Sequence, residues 1–96
     1  MDLKCSFERN FNAIAAVIGS FERPENDVVF RKLSDQKDLI LFGCYIPGIP
    51  VVSGGVSGRL QLRRLSEDLT ELHVMDVEYW AEDGVMALID HLSEGK

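Results

Sequence analysis

The chain is poor in the residues that usually announce chemistry. Cys5 and Cys44 are its only cysteines, and His73 and His91 its only histidines. Two thiols far apart in sequence make neither a disulfide framework nor a zinc site, and no HxH, HxxxH or CxxC spacing occurs. No metal centre and no cofactor are therefore expected. The nucleophile elbow GxSxG is missing. The one glycine-rich stretch, Ser53 to Gly58, lacks the Gly-Lys-Ser/Thr ending of a phosphate loop and runs into Arg59 and a strand-like segment. Long apolar runs are missing as well. The longest, Leu39 to Phe42, falls far short of the ~20 residues that span a bilayer. No basic segment followed by an apolar one is visible at the start, so no secretory signal is read there. A reducing, cytoplasmic setting without membrane contact is the expectation.

What is present is ordinary for a globular chain. The 96 residues are 46% hydrophobic and 27% charged, which suits one domain over 1–96 with one modest core. The net charge of −6 is unevenly placed. Residues 1–65 hold nine bases against seven acids, +2; residues 66–96 hold nine acids against Lys96 alone, −8. An acidic C-terminal third repels phosphate backbones, so nucleic acid is not an expected partner.

Period-two alternation dominates the segment Gly58 to Trp80. Leu60 and Leu62 alternate with Arg59, Gln61 and Arg63. After a polar turn at Ser66, Glu67 and Asp68, Leu72 and Val74 alternate with Glu71 and His73. This is a β-hairpin with one half-buried face. The alternation changes phase near Val74–Met75, as a β-bulge would make it; the alternative is a strand covered on both faces. Earlier in the chain, Phe7, Phe11, Ile14, Ala15, Ile18 and Phe21 recur at spacings of three and four. That pattern predicts a helix over about residues 7–22, with Ser6 as N-cap and Glu8 in the first turn. Leu3–Ser6 reads as a short leading strand or the frayed lead-in to that helix.

Pro24–Asp27 is turn chemistry, and Val28–Leu33 a strand. Ser34–Asp38 reads as a turn. Leu39–Ile46, apolar on both faces, reads as the central, most buried strand, with Gly43 marking a bulge or a close passage. Pro47–Gly48 suits a type II turn, and Ile49–Val52 a short edge strand. Ala81–Glu94 forms a closing helix with Val85, Leu88, Ile89 and Leu92 on one stripe and Gly95 as cap. Gly84 costs up to ~1 kcal/mol there relative to Ala, which suggests close helix–sheet packing or simple tolerance in the first turn. The expected fold is α+β, a two-layer sandwich. A mostly antiparallel sheet of about five strands carries an N-terminal and a C-terminal helix. In layout alone this is similar to helix-on-curved-sheet folds, secretion-chaperone-like and lipid-cavity-like ones among them. No family motif accompanies the likeness.

Three functional readings follow. The first is a small acidic, non-enzymatic protein-binding module, an adaptor, inhibitor, immunity-type or chaperone-like protein. It would meet a protein partner, a basic one in particular, through Glu67, Asp68, Glu71, Glu78, Glu82 and Asp83. Trp80 is either a plug at the core edge or an interface anchor. A homodimer through a free sheet edge is a related form. The second is a small-molecule binder with an apolar pocket between helix and curved sheet, lined by Phe30, Phe42, Tyr45, Met75 and Tyr79. An enzyme comes third, with no catalytic residue to name. Arg59, Arg63 and Arg64, beside the glycine-rich connector, form a candidate anion site.

Overall fold

The computed structural model describes residues 2–21, 28–45 and 56–94. Their elements run β1 (Leu3–Phe7), α1 (Phe11–Ser20), β2 (Val29–Gln36), β3 (Leu39–Tyr45), β4 (Gly58–Ser66), β5 (Leu69–Met75), a 3₁₀ turn (Tyr79–Ala81) and α2 (Glu82–Glu94). The five strands form one antiparallel sheet in the order β1-β5-β4-β3-β2. The class is α+β, as the alternation implies. Among the described residues no helix is long and apolar enough to cross a membrane.

The first helix does not open the chain. Leu3–Phe7 is a strand, and the helix starts at Phe11 rather than near residue 7. Phe7 matches the helical spacing only by coincidence. It is the last of the inward residues Leu3, Cys5 and Phe7 of β1, paired across from Val74, Leu72 and Thr70. The helix begins where its free N–H groups find an acceptor. Asn10 Oδ1 accepts from Asn12 N at 2.9 Å and Ala13 N at 3.2 Å. Asn10, not Ser6, is the N-cap, and Glu8 lies before the helix.

The order of the sheet corrects the reading of Leu39–Ile46 as its centre. The central strand is β4, and β3 lies one place from the β2 edge. Ile40, Phe42 and Cys44 of β3 are buried, whereas Leu39, Leu41 and Tyr45 on the other face are only half-buried. β2 continues through the predicted turn to Gln36, leaving Lys37–Asp38 as a two-residue connection. Its register shifts between Lys32 and Ser34, around Leu33. A matching shift in β4 lies between Arg64 and Ser66. No shift occurs at Val74–Met75. There the strand simply ends, Asp76 adopts φ 54°, and Val77 turns back into the core. A short polar side chain is among the few that tolerate this left-handed conformation. The expected features at Pro24–Asp27, Pro47–Gly48, Ile49–Val52, Ser53–Gly55 and Gly95 lie outside the described residues.

One core joins the helices to a single face of the sheet. Leu60, Leu62, Leu72, Val74, Phe42 and Cys44 meet Phe11, Ile14 and Ile18 of α1 and Val85, Leu88 and Leu92 of α2. The loop between β1 and α1 is tied at both sides. Thr70 Oγ1 donates to Arg9 O at 3.0 Å, and Arg9 Nη1 donates to Leu92 O at 3.2 Å. The opposite face of the sheet carries the residues that alternate outward: Lys4, His73, Gln61 and Leu41 in one cross-strand row, Arg59, Gly43 and Arg31 in another.

Candidate functional site

The chain leaves β5 by a route that turns two aromatic side chains outward. Val77 is buried, and Glu78 N donates to Ser57 O at 2.7 Å, which holds the departing strand against the start of β4. Ala81 N donates to Glu78 O at 2.9 Å, closing the 3₁₀ turn, and Ala81 is buried without exposure. With Val77 and Ala81 as anchors, Tyr79 and Trp80 face away from the core, 79% and 45% exposed. Their rings meet edge to face with centroids 4.9 Å apart, a favoured aromatic geometry. Trp80 Nε1 donates to Ser57 Oγ at 3.3 Å. The indole is thus held in one orientation.

Part of the acidic set gathers at this corner. Glu78 and Asp83 are exposed and Glu82 is half-buried; Glu82 and Asp83 occupy the first turn of α2, where the helix dipole favours carboxylates. Met86, one helical turn further, is exposed too. Glu67 and Asp68 are elsewhere. They form the β4–β5 turn at the other end of β5, a strand of 7 residues that spans roughly 20 Å. Glu71 points outward in mid-strand, opposite Arg63. The six predicted acids therefore make one compact cluster and two outlying positions.

The three arginines do not converge. Arg59 and Arg63 share the outward face, and Arg59 Nη1 lies 3.4 Å from Asp76 Oδ2. Arg64 points to the opposite face, its guanidinium 5.1 Å from the centre of the Phe11 ring. Its Nε is 3.1 Å from Asp38 Oδ1, an ion pair by distance that is not aligned as a hydrogen bond.

The groups that a nucleophilic or metal site would use lie apart. Cys5 and Cys44 are inward-facing free thiols, half-buried and buried. Burial raises both above the ordinary thiol value of 9.0, Cys44 to about 12. His73 is on the outward face, its Nε2 2.8 Å from Asp2 Oδ1. His91 is on α2, its ring 5.5 Å from that of Phe21. Among the described residues no group of three or more His, Cys, Asp or Glu side chains is placed to hold a metal ion.

A cleft of about 760 Å³ runs between α1 and the β2–β3 hairpin. Phe30 and Phe42 line it, as expected for an apolar pocket. Tyr45 and Met75 are on the far side of the sheet, and Tyr79 is at the aromatic corner. The floor residues Phe11, Phe30, Ile40 and Phe42 are each at most 4% exposed, so the core already uses them.

By sequence Trp80 suits either a plug or an anchor, and the structure leaves it 45% exposed. The flanking pair Val77 and Ala81 was the available signal, since two small apolar residues four apart can pin a turn whose middle is exposed. Ser57, which binds both the indole and the backbone of Glu78, had no signal of its own. Comparison of the chain with protein-family models, with curated proteins and with solved structures gives no significant match.

Proposed function

We propose that the chain is a non-enzymatic protein-binding module of the adaptor, inhibitor, immunity-type or chaperone-like kind, which offers its aromatic and acidic corner to a basic partner. The observation that carries this reading is the exposure of Tyr79 and Trp80 as an edge-to-face pair beside Glu78, Glu82 and Asp83. Tyr and Trp supply large contact area at low entropic cost and dominate interface energetics. The indole is already oriented by Ser57, so little freedom is lost on docking. The carboxylates around it steer a positively charged surface and reject a negative one. Glu67, Asp68 and Glu71 add to the long-range field from their separate positions.

The free thiols accord with a cytoplasmic setting. Self-association would use the edges of the sheet, β1 or β2. The partner test is capture from the source extract at low salt. Trp80→Ala and the triple change E78Q/E82Q/D83N should each remove the partner that the unaltered chain retains. Retention of the same partner by both variants would refute the reading.

The cleft beside α1 favours a second reading, a small-molecule binder. Titration with a fluorescent fatty-acid analogue tests it, and displacement sensitive to Ala16→Trp, in the cleft wall, would support it.

A further inference from the structure

The outward face of the sheet has a composition that the acidic corner does not explain. On β2, β3 and β4 its side chains are Val29, Arg31, Leu33, Ser34 and Gln36, then Leu39, Leu41, Gly43 and Tyr45, then Arg59, Gln61 and Arg63. Every charged group in that set is an arginine. In a chain of net charge −6, this face sets arginines among aliphatic side chains.

The apolar part is a packed patch. A β-carbon at Gly43 would lie 2.8 Å from Val56 Cγ1 and 3.1 Å from both Leu33 Cδ1 and Tyr45 Cε2. Those three side chains therefore close over the glycine and form a shallow apolar floor. Leu33 is 43% exposed, because the register shift in β2 lifts it onto this face. The Arg31 guanidinium lies 5.9 Å from the centre of the Tyr45 ring. Acids flank this region: Asp76 beside Arg59, Glu71 opposite Arg63 on β5, and Asp35 of β2, which points to the other face and pairs with Lys32. Asp2 lies further out, on His73. Among the described residues both helices pack on the other face of the sheet.

We infer that the outward face of β2, β3 and β4 is a second docking surface, opposite in sign to the aromatic corner, for an acidic amphipathic segment of a partner protein. Apolar side chains of the segment would rest on Leu33, Leu41, Tyr45 and Val56. Its carboxylates would meet Arg31, Arg59 and Arg63, whose planar forks suit bidentate pairing. β3 presents about 20 Å of strand, enough for a short segment rather than a folded domain. A second copy stacked face to face would set arginine against arginine, which costs like-charge repulsion. A single-stranded nucleic acid would need exposed stacking rings. The floor is aliphatic apart from Tyr45. The surface does not depend on the aromatic corner, and the two together would let one small domain bridge partners of opposite charge.

The test uses the full chain and a synthetic peptide with leucines on one face and glutamates on the other. Its lysine counterpart and a single-stranded oligouridylate serve as comparisons. Amide shifts should concentrate on Leu41, Gln61 and Arg63 for the glutamate peptide alone. R31Q/R63Q and Leu33→Ser, all at exposed positions, should each weaken it about tenfold, with thermal unfolding unchanged, and added salt should weaken it further. Four results would overturn the inference. They are shifts centred on Tyr79 and Trp80, tighter binding of the oligouridylate at the same face, a concentration-dependent dimer that covers the face in sedimentation, and no saturable binding.

Discussion

Gly84 of α2 stands directly against Val28: a β-carbon at position 84 would lie 2.8 Å from the β-carbon of Val28. Val28 precedes β2 and is itself buried. At this glycine the last helix passes hard against the chain entering the edge strand.

A methyl group at position 84 should therefore destabilise the fold despite helix propensity. Gly→Ala in a helix interior is worth up to ~1 kcal/mol in favour of Ala. Overpacking against a stiff β-branched neighbour costs typically ~1–3 kcal/mol. Gly84→Ala is expected to lower stability by up to about 2 kcal/mol net in urea unfolding. A gain in stability would show that Val28 can give way.

The cap at Asn10 supplies an independent check on the start of α1. Asn10→Ala removes the acceptor for two first-turn N–H groups and should cost ~1 kcal/mol. Asn10→Asp should be neutral or slightly stabilising, because it keeps the acceptor and adds charge at the positive end of the dipole. Ser6→Ala should have little effect, since Ser6 is an exposed residue of β1.

Thr70 is fully buried and its hydroxyl serves the Arg9 carbonyl. Thr70→Val preserves shape and leaves that carbonyl without its donor, for a cost of about 1–3 kcal/mol. Thr70→Ser keeps the donor and loses only a methyl group, so it should cost less than the valine change. Equal losses would mean that packing, not the hydrogen bond, holds the loop.

Thiol chemistry reports on the core. The thiolate is the reactive species. With its pKa pushed to about 12, Cys44 should resist alkylation near neutral pH in the folded chain and react on unfolding. Cys5, raised by its partial burial, should react slowly. In both cases burial favours the neutral thiol, so the folded form binds the proton more tightly than the unfolded form. For Cys44 this contribution to stability is complete below pH 9.0 and is lost as pH rises from there through about 12. Cys44→Ala should flatten that alkaline decline in urea midpoints.

The inward residues Leu60, Leu62, Leu72 and Val74 of β4 and β5 are legible as alternation, and so are the turn at Glu67–Asp68 and the stripe of α2, whereas β3 reads as apolar on both faces and Phe7 of β1 fits a helical spacing. Sequence pattern and structure part where two periodicities overlap. Phe7 and Phe11 are four apart and both buried, yet one ends a strand and the other begins a helix. Likewise Val74 and Val77 are both buried, but a left-handed Asp76, rather than a bulge, lies between them. The acidic tally for residues 66–96 was correct as charge and misleading as a surface, because β5 carries its two ends roughly 20 Å apart.

Local pattern alone determined the inward residues Leu60, Leu62, Leu72 and Val74 of the β4–β5 hairpin and the stripe of α2, because backbone geometry repeats every two or 3.6 residues whatever the chain meets later. Only the tertiary structure decided that β1 pairs with β5 and that β4 lies at the centre. It also decided that leucines and arginines share the face of the sheet turned away from both helices and that Trp80 looks outward. These depend on contacts between residues distant in sequence, and hydrophobic attraction, being non-directional, does not select among such partners until the whole core packs.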